Sequence, residues 1–190
     1  MLQQGEKIPS RTLAITFDDG YEEVLTLGLP VLQEFGFTAT IFAVPGQLGG
    51  RNAWDDGRAA LLTTDHYRQL EKAGITIGAH TCQHVHLTQV DRGTAEREIK
   101  ESKTKLETAL GHPVSLFAYP YGETNDTVDT MVRESGFEAA FATDRAPADH
   151  AENPYRIRRV VIFPRNTVWE ILVKAQAWYP AYQEWKRGKK

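Results

Sequence analysis

Three short polar clusters carry side chains of catalytic type: Asp18-Asp19-Gly20, His80-Thr81-Cys82-Gln83-His84 and Tyr119-Pro120-Tyr121-Gly122. Each follows a short apolar run. His80 and His84 stand four residues apart. In a helical turn that spacing puts both rings on one side, about a metal's width apart. Two imidazoles and a carboxylate form a common ligand set for Zn²⁺ that leaves positions open for water and substrate. The same set accepts Fe²⁺, Co²⁺ and other divalent ions. Taken alone, the pattern also describes two ordinary histidines, and His86 beside them reads as a loop residue.

Asp18 and Asp19 sharpen the reading. Adjacent carboxylates repel, which raises at least one pKa unless a cation is near. By itself the pair suits an Asx-turn with Gly20 at the tight position. In the functional reading one aspartate joins His80 and His84 on a metal, and the other stays free as a base near water. The tyrosine cluster is a rigid turn that can present a backbone N–H to a developing oxyanion.

The surrounding pattern says how these clusters are positioned. Leu13–Phe17, Thr40–Val44, Ile75–Gly78, Val114–Ala118, Phe137–Ala142 and Ile157–Phe163 read as strands. Helical patterns run from the first strand to Phe35, and over about 65–73, 94–110, 128–135 and 168–178. Ala95, Ile99, Ser102, Leu106 and Ala109 form one stripe, with Glu96–Lys100 and Glu101–Lys105 as i,i+4 pairs. Gly36, Gly74, Gly111 and Gly136 stand at helix ends. Strands alternating with helices imply a mostly parallel sheet, as an open doubly wound sheet or a small, incomplete β/α barrel. In both, active sites gather at the C-terminal ends of the strands, where all three clusters fall.

Composition narrows the class. The chain has 190 residues, 41% hydrophobic and 25% charged, which fits one domain over 1–190 and excludes a disordered or fibrous protein. A net charge of −3 argues against a dedicated nucleic-acid binder. The basic end, Lys186, Arg187, Lys189 and Lys190, reads as a solvated tail. Cys82 is the single cysteine, so no intramolecular disulfide forms. No apolar run approaches the roughly 18–20 residues of a membrane span. Met1–Arg11 lacks a signal-peptide core, so a cytoplasmic location is expected unless a leader has been removed.

Together the motifs resemble the polysaccharide deacetylase family, carbohydrate esterase family four. Thr16-Phe17-Asp18-Asp19-Gly20 is similar to its first motif, His80–His84 to its second, and Tyr121-Gly122 to the end of its third. The resemblance implies a distorted (β/α)7 barrel. It also implies that Asp19, His80 and His84 hold a divalent metal, Zn²⁺ first and Co²⁺ or another ion as an alternative. Asp18 would be the general base, and the Tyr121 backbone N–H an oxyanion donor. The expected reaction is hydrolysis of N-acetyl groups on an N-acetylglucosamine polysaccharide or oligosaccharide, with release of acetate. A small non-sugar amide, or weak catalysis in a carbohydrate-binding homologue, are the alternatives.

Two positions depart from the family pattern. The arginine that often precedes the third-motif tyrosine by three residues is Ala118 here. A replacement cation is expected from the 155–159 segment, with Arg159 favoured. The family also supplies a histidine as general acid, either late in the chain or, in the biofilm-type branch, before the first motif. No histidine follows His150, and only 15 residues precede Thr16. His150 is the remaining candidate, and a slow enzyme is expected; His66 and His112 read as surface residues. Trp54, in a long loop, is expected either to stack on a sugar or to cap the barrel. Trp169, Trp178, Tyr179, Tyr182 and Trp185 read as docking residues rather than as a carbohydrate platform.

Overall fold

The computed structural model describes residues 12–143, 153–176 and 178–187. Six strands form one sheet: β1 (Thr16–Phe17), β2 (Thr40–Ala43), β3 (Thr76–Ala79), β4 (Leu116–Ala118), β5 (Ala139–Ala142) and β6 (Ile157–Arg158). They lie in sequence order, and each neighbouring pair is parallel. A doubly wound sheet reverses its strand order part-way. Right-handed crossovers that always step the same way instead curl the sheet. The fold is therefore a distorted, incomplete (β/α) barrel. Its core is the paired strand residues Ile41 and Ile77, Ala79 and Phe117, and Phe117 and Ala140, all buried.

Among the described residues six α-helices connect and cover the strands: α1 (Leu29–Glu34), α2 (Thr64–Lys72), α3 (Arg92–Leu110), α4 (Asp126–Glu134), α5 (Val168–Lys174) and α6 (Tyr179–Arg187). Their limits follow from local chemistry. Thr63 and His66 make a reciprocal capping box at α2. Asp91 and Asn125 accept the first free N–H groups of α3 and α4. Gly111 ends α3 in the left-handed conformation, with φ 85. Ala95, Ile99, Ser102 and Leu106 form the buried stripe of α3, while Ala109 is only half-buried. Glu96 turns to Arg92 at 2.9 Å, and Glu101 pairs with Lys105 at 3.4 Å as expected.

Three segments differ from the sequence reading. After β1 the chain forms a tight turn and a π-helical turn, Val24–Gly28, before α1 begins. The sixth strand stops at Arg158 instead of Phe163; the Arg159 N–H makes one more bond to the Ala142 carbonyl, at 2.9 Å, while its side chain reaches the site. The last helix breaks after Lys174 and restarts at Tyr179. Pro180 has no N–H and would clash inside a continuous helix, whereas at the start of α6 it costs nothing. The expected docking is not found for Trp169, Trp178 and Trp185, which are 78%, 54% and 58% exposed, whereas Tyr179 is half-buried.

Candidate active site

The strand ends bring the clusters together at one rim. Asp18 and Asp19 follow β1, His80–His84 follows β3, Tyr119–Gly122 follows β4, and Arg159 follows β6. The His80–His84 segment is not helical. Thr81 and His84 adopt left-handed conformations, with φ 59 and 60, and this turns both rings inward. Buried Glu98 on α3 accepts the Gln83 N–H at 2.7 Å and pins the loop from behind.

The two imidazoles meet on one carboxylate oxygen. His80 Nε2 lies 3.4 Å, and His84 Nε2 3.1 Å, from Asp19 Oδ1. His80 Nδ1 sits 2.7 Å from the Ala118 carbonyl oxygen. A carbonyl only accepts, so Nδ1 carries a proton and the ring presents its Nε2 edge to Asp19. The position without the family's arginine thus supplies the oxygen that orients a histidine. Asp19, His80 and His84 each offer a ligand atom within 4.8 Å of the others. The donor types, their convergence and the orientation of the His80 ring by the Ala118 carbonyl all fit a divalent cation.

Charge at the rim is arranged in pairs. Burial works against ionised Asp19, yet hydrogen bonds from both imidazoles hold its carboxyl well below the usual range. Burial likewise opposes charge on Asp18, but His80 and the Arg159 guanidinium outweigh it and lower its pKa. Arg159 reaches from β6 to β1 with two short bonds to Asp18, 2.6 and 2.8 Å, and a third to Thr16 Oγ1 at 3.1 Å. Its guanidinium also lies over the Phe42 ring, 5.3 Å from the centroid. Burial, assisted by neighbouring His80, lowers the His84 pKa against the pull of Asp19, so its ring tends toward the neutral form that binds metals.

Aromatic rings wall the site. Trp54 lies against His84 with centroids 4.5 Å apart, half-buried, so the long loop folds over the rim. Tyr121 is 44% exposed and left-handed, with φ 60. Its hydroxyl is 3.3 Å from His84 Nδ1. Beside it opens a cleft of about 460 Å³ lined by Asp18, Tyr121, Glu123, Thr143, Phe163 and Lys174. His150 lies outside the described residues.

The structure adds residues that the sequence did not single out. Burial and the neighbouring Asp19 raise the Tyr21 hydroxyl to about 12, so it stays protonated beside that carboxylate. His86 stacks on Tyr121 at 3.5 Å and pairs with Glu123 at 3.3 Å. Behind the turn, buried Asp129 accepts from Tyr119, Thr124 and Arg156. Tyr21 directly follows Asp-Asp-Gly and Glu123 directly follows Tyr-Gly, which was the available signal. Asp129 gave none, since its partners lie on other elements.

A family model for polysaccharide deacetylases matches residues 5–140. The chain belongs to the polysaccharide deacetylase family. The Bacillus subtilis (strain 168) protein YxkH is 26% identical over 164 residues, covering 86% of this chain and 56% of that protein. The poly-β-1,6-N-acetyl-D-glucosamine N-deacetylase of Staphylococcus aureus (strain MSSA476) is 24% identical over 178 residues, covering 88% and 59%. The chain therefore spans less than two thirds of the length of these curated relatives. Among solved structures, Streptococcus pyogenes deacetylase PplD in complex with acetate superposes with a TM-score of 0.78 at 24% identity. That alignment covers 92% of this chain and 75% of the other, and it shows the shared fold. Among the described residues no helix is long and apolar enough to cross a membrane.

Proposed function

We propose that this chain, folded as one domain over 1–190, is a divalent-metal-dependent N-deacetylase. It hydrolyses N-acetyl groups on an N-acetylglucosamine polymer or oligomer to acetate and a free amine. The observation that carries the reading is the meeting of both Nε2 atoms on Asp19, beside a second carboxylate clamped by Arg159. The name of the Staphylococcus aureus relative supports the substrate class.

Asp19, His80 and His84 would hold the ion, with Zn²⁺ the first choice and Co²⁺ an alternative. Such an ion supplies Lewis-acid polarisation of the acetyl carbonyl and a lowered pKa for the attacking water. Asp18 takes the proton from that water as general base. Arg159 keeps the Asp18 carboxylate ionised and fixes its orientation. The Tyr121 backbone N–H donates to the tetrahedral oxyanion. Trp54 and the Tyr121 ring form apolar walls against the sugar.

The test separates ligand from base. His84→Ala should lose most bound metal by elemental analysis. Asp18→Asn should keep it while kcat on N-acetylglucosamine oligomers falls at least about 10²-fold. Parental metal content in His84→Ala refutes the ligand set, and near-parental turnover in Asp18→Asn refutes the base.

A further inference from the structure

Tyr179, the first residue of α6, lines the same cleft as Asp18 and Tyr121. From it a series of rings runs outward. The Tyr179 and Tyr182 centroids are 6.4 Å apart, those of Tyr182 and Trp185 6.1 Å, and those of Trp178 and Tyr182 6.0 Å. Each ring is within aromatic contact distance of the next. Tyr182 and Trp185 are three apart and share one face of α6, and Trp178, just before the helix, packs its ring beside Tyr182. That face is open to solvent: Trp178 is 54% exposed, Tyr182 42% and Trp185 58%. A contiguous exposed aromatic surface beside a reaction cleft implies a ligand.

The composition of this face selects the ligand. Residues 178–187 contain no Leu, Ile, Val, Met or Phe. Helices that lie in a membrane interface or fill a protein groove commonly carry Leu, Ile or Phe beside their Trp. Here the apolar area consists almost wholly of flat rings with a polar edge. A pyranose is their counterpart, with C–H groups on its faces and hydroxyls around its rim. The rings also begin inside the cleft rather than at a separate surface.

We propose that the α6 rings form an outlying glycan-binding strip. It holds sugar residues of a β-linked chain that extends from the reaction centre past Tyr179 toward Trp185. The inference rests on the reading of the cleft as an N-acetyl-sugar site and deepens it: the preferred substrate is a chain long enough to run from the cleft at Tyr179 to Trp185.

Calorimetric titration with the dimer and hexamer of β-linked N-acetylglucosamine tests this without turnover. The parent should bind the hexamer more tightly than the dimer. In Trp185→Ala the hexamer-to-dimer affinity ratio should fall about fivefold to tenfold, as for one lost stacking contact. Trp185→Phe, which keeps a ring, should restore most of that ratio, and circular dichroism checks the fold of both variants. The kcat/KM ratio for acetate release from the two oligomers should move in parallel. An unchanged ratio in Trp185→Ala, or a parent that binds both lengths equally, overturns the strip. Binding to phosphatidylglycerol vesicles that Trp185→Ala abolishes, with no length dependence on glycan, assigns the helix to a membrane surface and also overturns it. A parent that prefers the hexamer but releases no acetate supports the strip and overturns the hydrolase reading. Acetate release with equal efficiency from both lengths does the reverse.

Discussion

Replacing Arg159 by Met keeps most of the side-chain volume and removes the charge that clamps Asp18. The guanidinium contributes three bonds at this point, two to Asp18 and one to Thr16. Taking one partner from a fully buried ion pair costs about 3–5 kcal/mol, whereas an exposed pair contributes about 0.2–1 kcal/mol. The Arg159 side chain is 12% exposed and that of Asp18 34%, so water screens one end of the pair. The expected loss of stability is therefore intermediate, about 1–3 kcal/mol. Asp18 has its pKa lowered in the folded chain, by His80 and Arg159 acting against burial. A lowered carboxyl contributes stability above its ordinary 3.8 and loses it as pH falls through the folded value. Without Arg159 burial acts with less opposition, and the Asp18 pKa rises. At about 1.4 kcal/mol per unit, the acid limb of the pH–rate profile should move up by about one unit. At neutral pH, kcat/KM should fall about tenfold or more through lost orientation of the base. Arg159→Lys restores a point charge without the fork, so it should recover the acid limb more fully than the rate. The assay is acetate release across the acid range, with metal content checked in each variant. Rates and acid limb in Arg159→Met within about twofold of the parent would show that Asp18 does not depend on the guanidinium.

Gly20→Ala should destabilise the fold by about 2–4 kcal/mol in urea denaturation, the sum of a left-handed penalty and overpacking. Gly20 has φ +75, and an added Cβ would stand 2.0 Å from the Tyr67 hydroxyl. Asp129→Asn should cost about 2–4 kcal/mol in the same assay, because Arg156, Tyr119 and Thr124 lose a charged acceptor that is itself buried. His112 faces two acceptors, the Pro113 carbonyl and Glu71, and both raise its pKa above 6.5. That pair should contribute stability below the ordinary histidine value and lose it as pH rises through the folded one. Half-exposed, it is worth at most about 1 kcal/mol. His112→Gln should therefore match the parent in alkaline solution and fall below it in acid.

Much of the fold was legible because local signals agreed. The α3 stripe, Asp91, Gly111 and the apolar runs that became β2–β5 all pointed one way, and the parallel β/α order followed from them. What the sequence left open was the order of strands in the sheet, which depends on how successive crossovers step and not on any residue. The break between α5 and α6 was missed because the aromatic periodicity runs through it, while Pro180 alone marks the restart. The candidate site was legible as three clusters at strand ends. Its cross-element contacts were not: the bond from His80 to the Ala118 carbonyl and the fork from Arg159 to Asp18 join residues far apart in the chain, and only the curled sheet brings them within reach.

The least legible feature of the site is its backbone. Asp19, Thr81, His84 and Tyr121 all adopt left-handed conformations, with φ 72, 59, 60 and 60. Turn chemistry would place Gly or Asn at such positions, so the sequence reads there as ordinary loop or as helix. Each such residue costs on the order of 1 kcal/mol or more and persists only where the surroundings over-determine it. Here they do. Tyr21 and two imidazoles hold Asp19, Glu98 holds the loop between His80 and His84, and the Asp129 network backs Tyr119 and the turn that carries Tyr121. All four strained residues are at the rim, and none lies within a strand of the sheet. Strain concentrated this way aims two imidazoles and a carboxylate at one point in the free protein, so little reorganisation remains for binding. A relaxed backbone at these positions would turn the imidazoles outward and would not form the site.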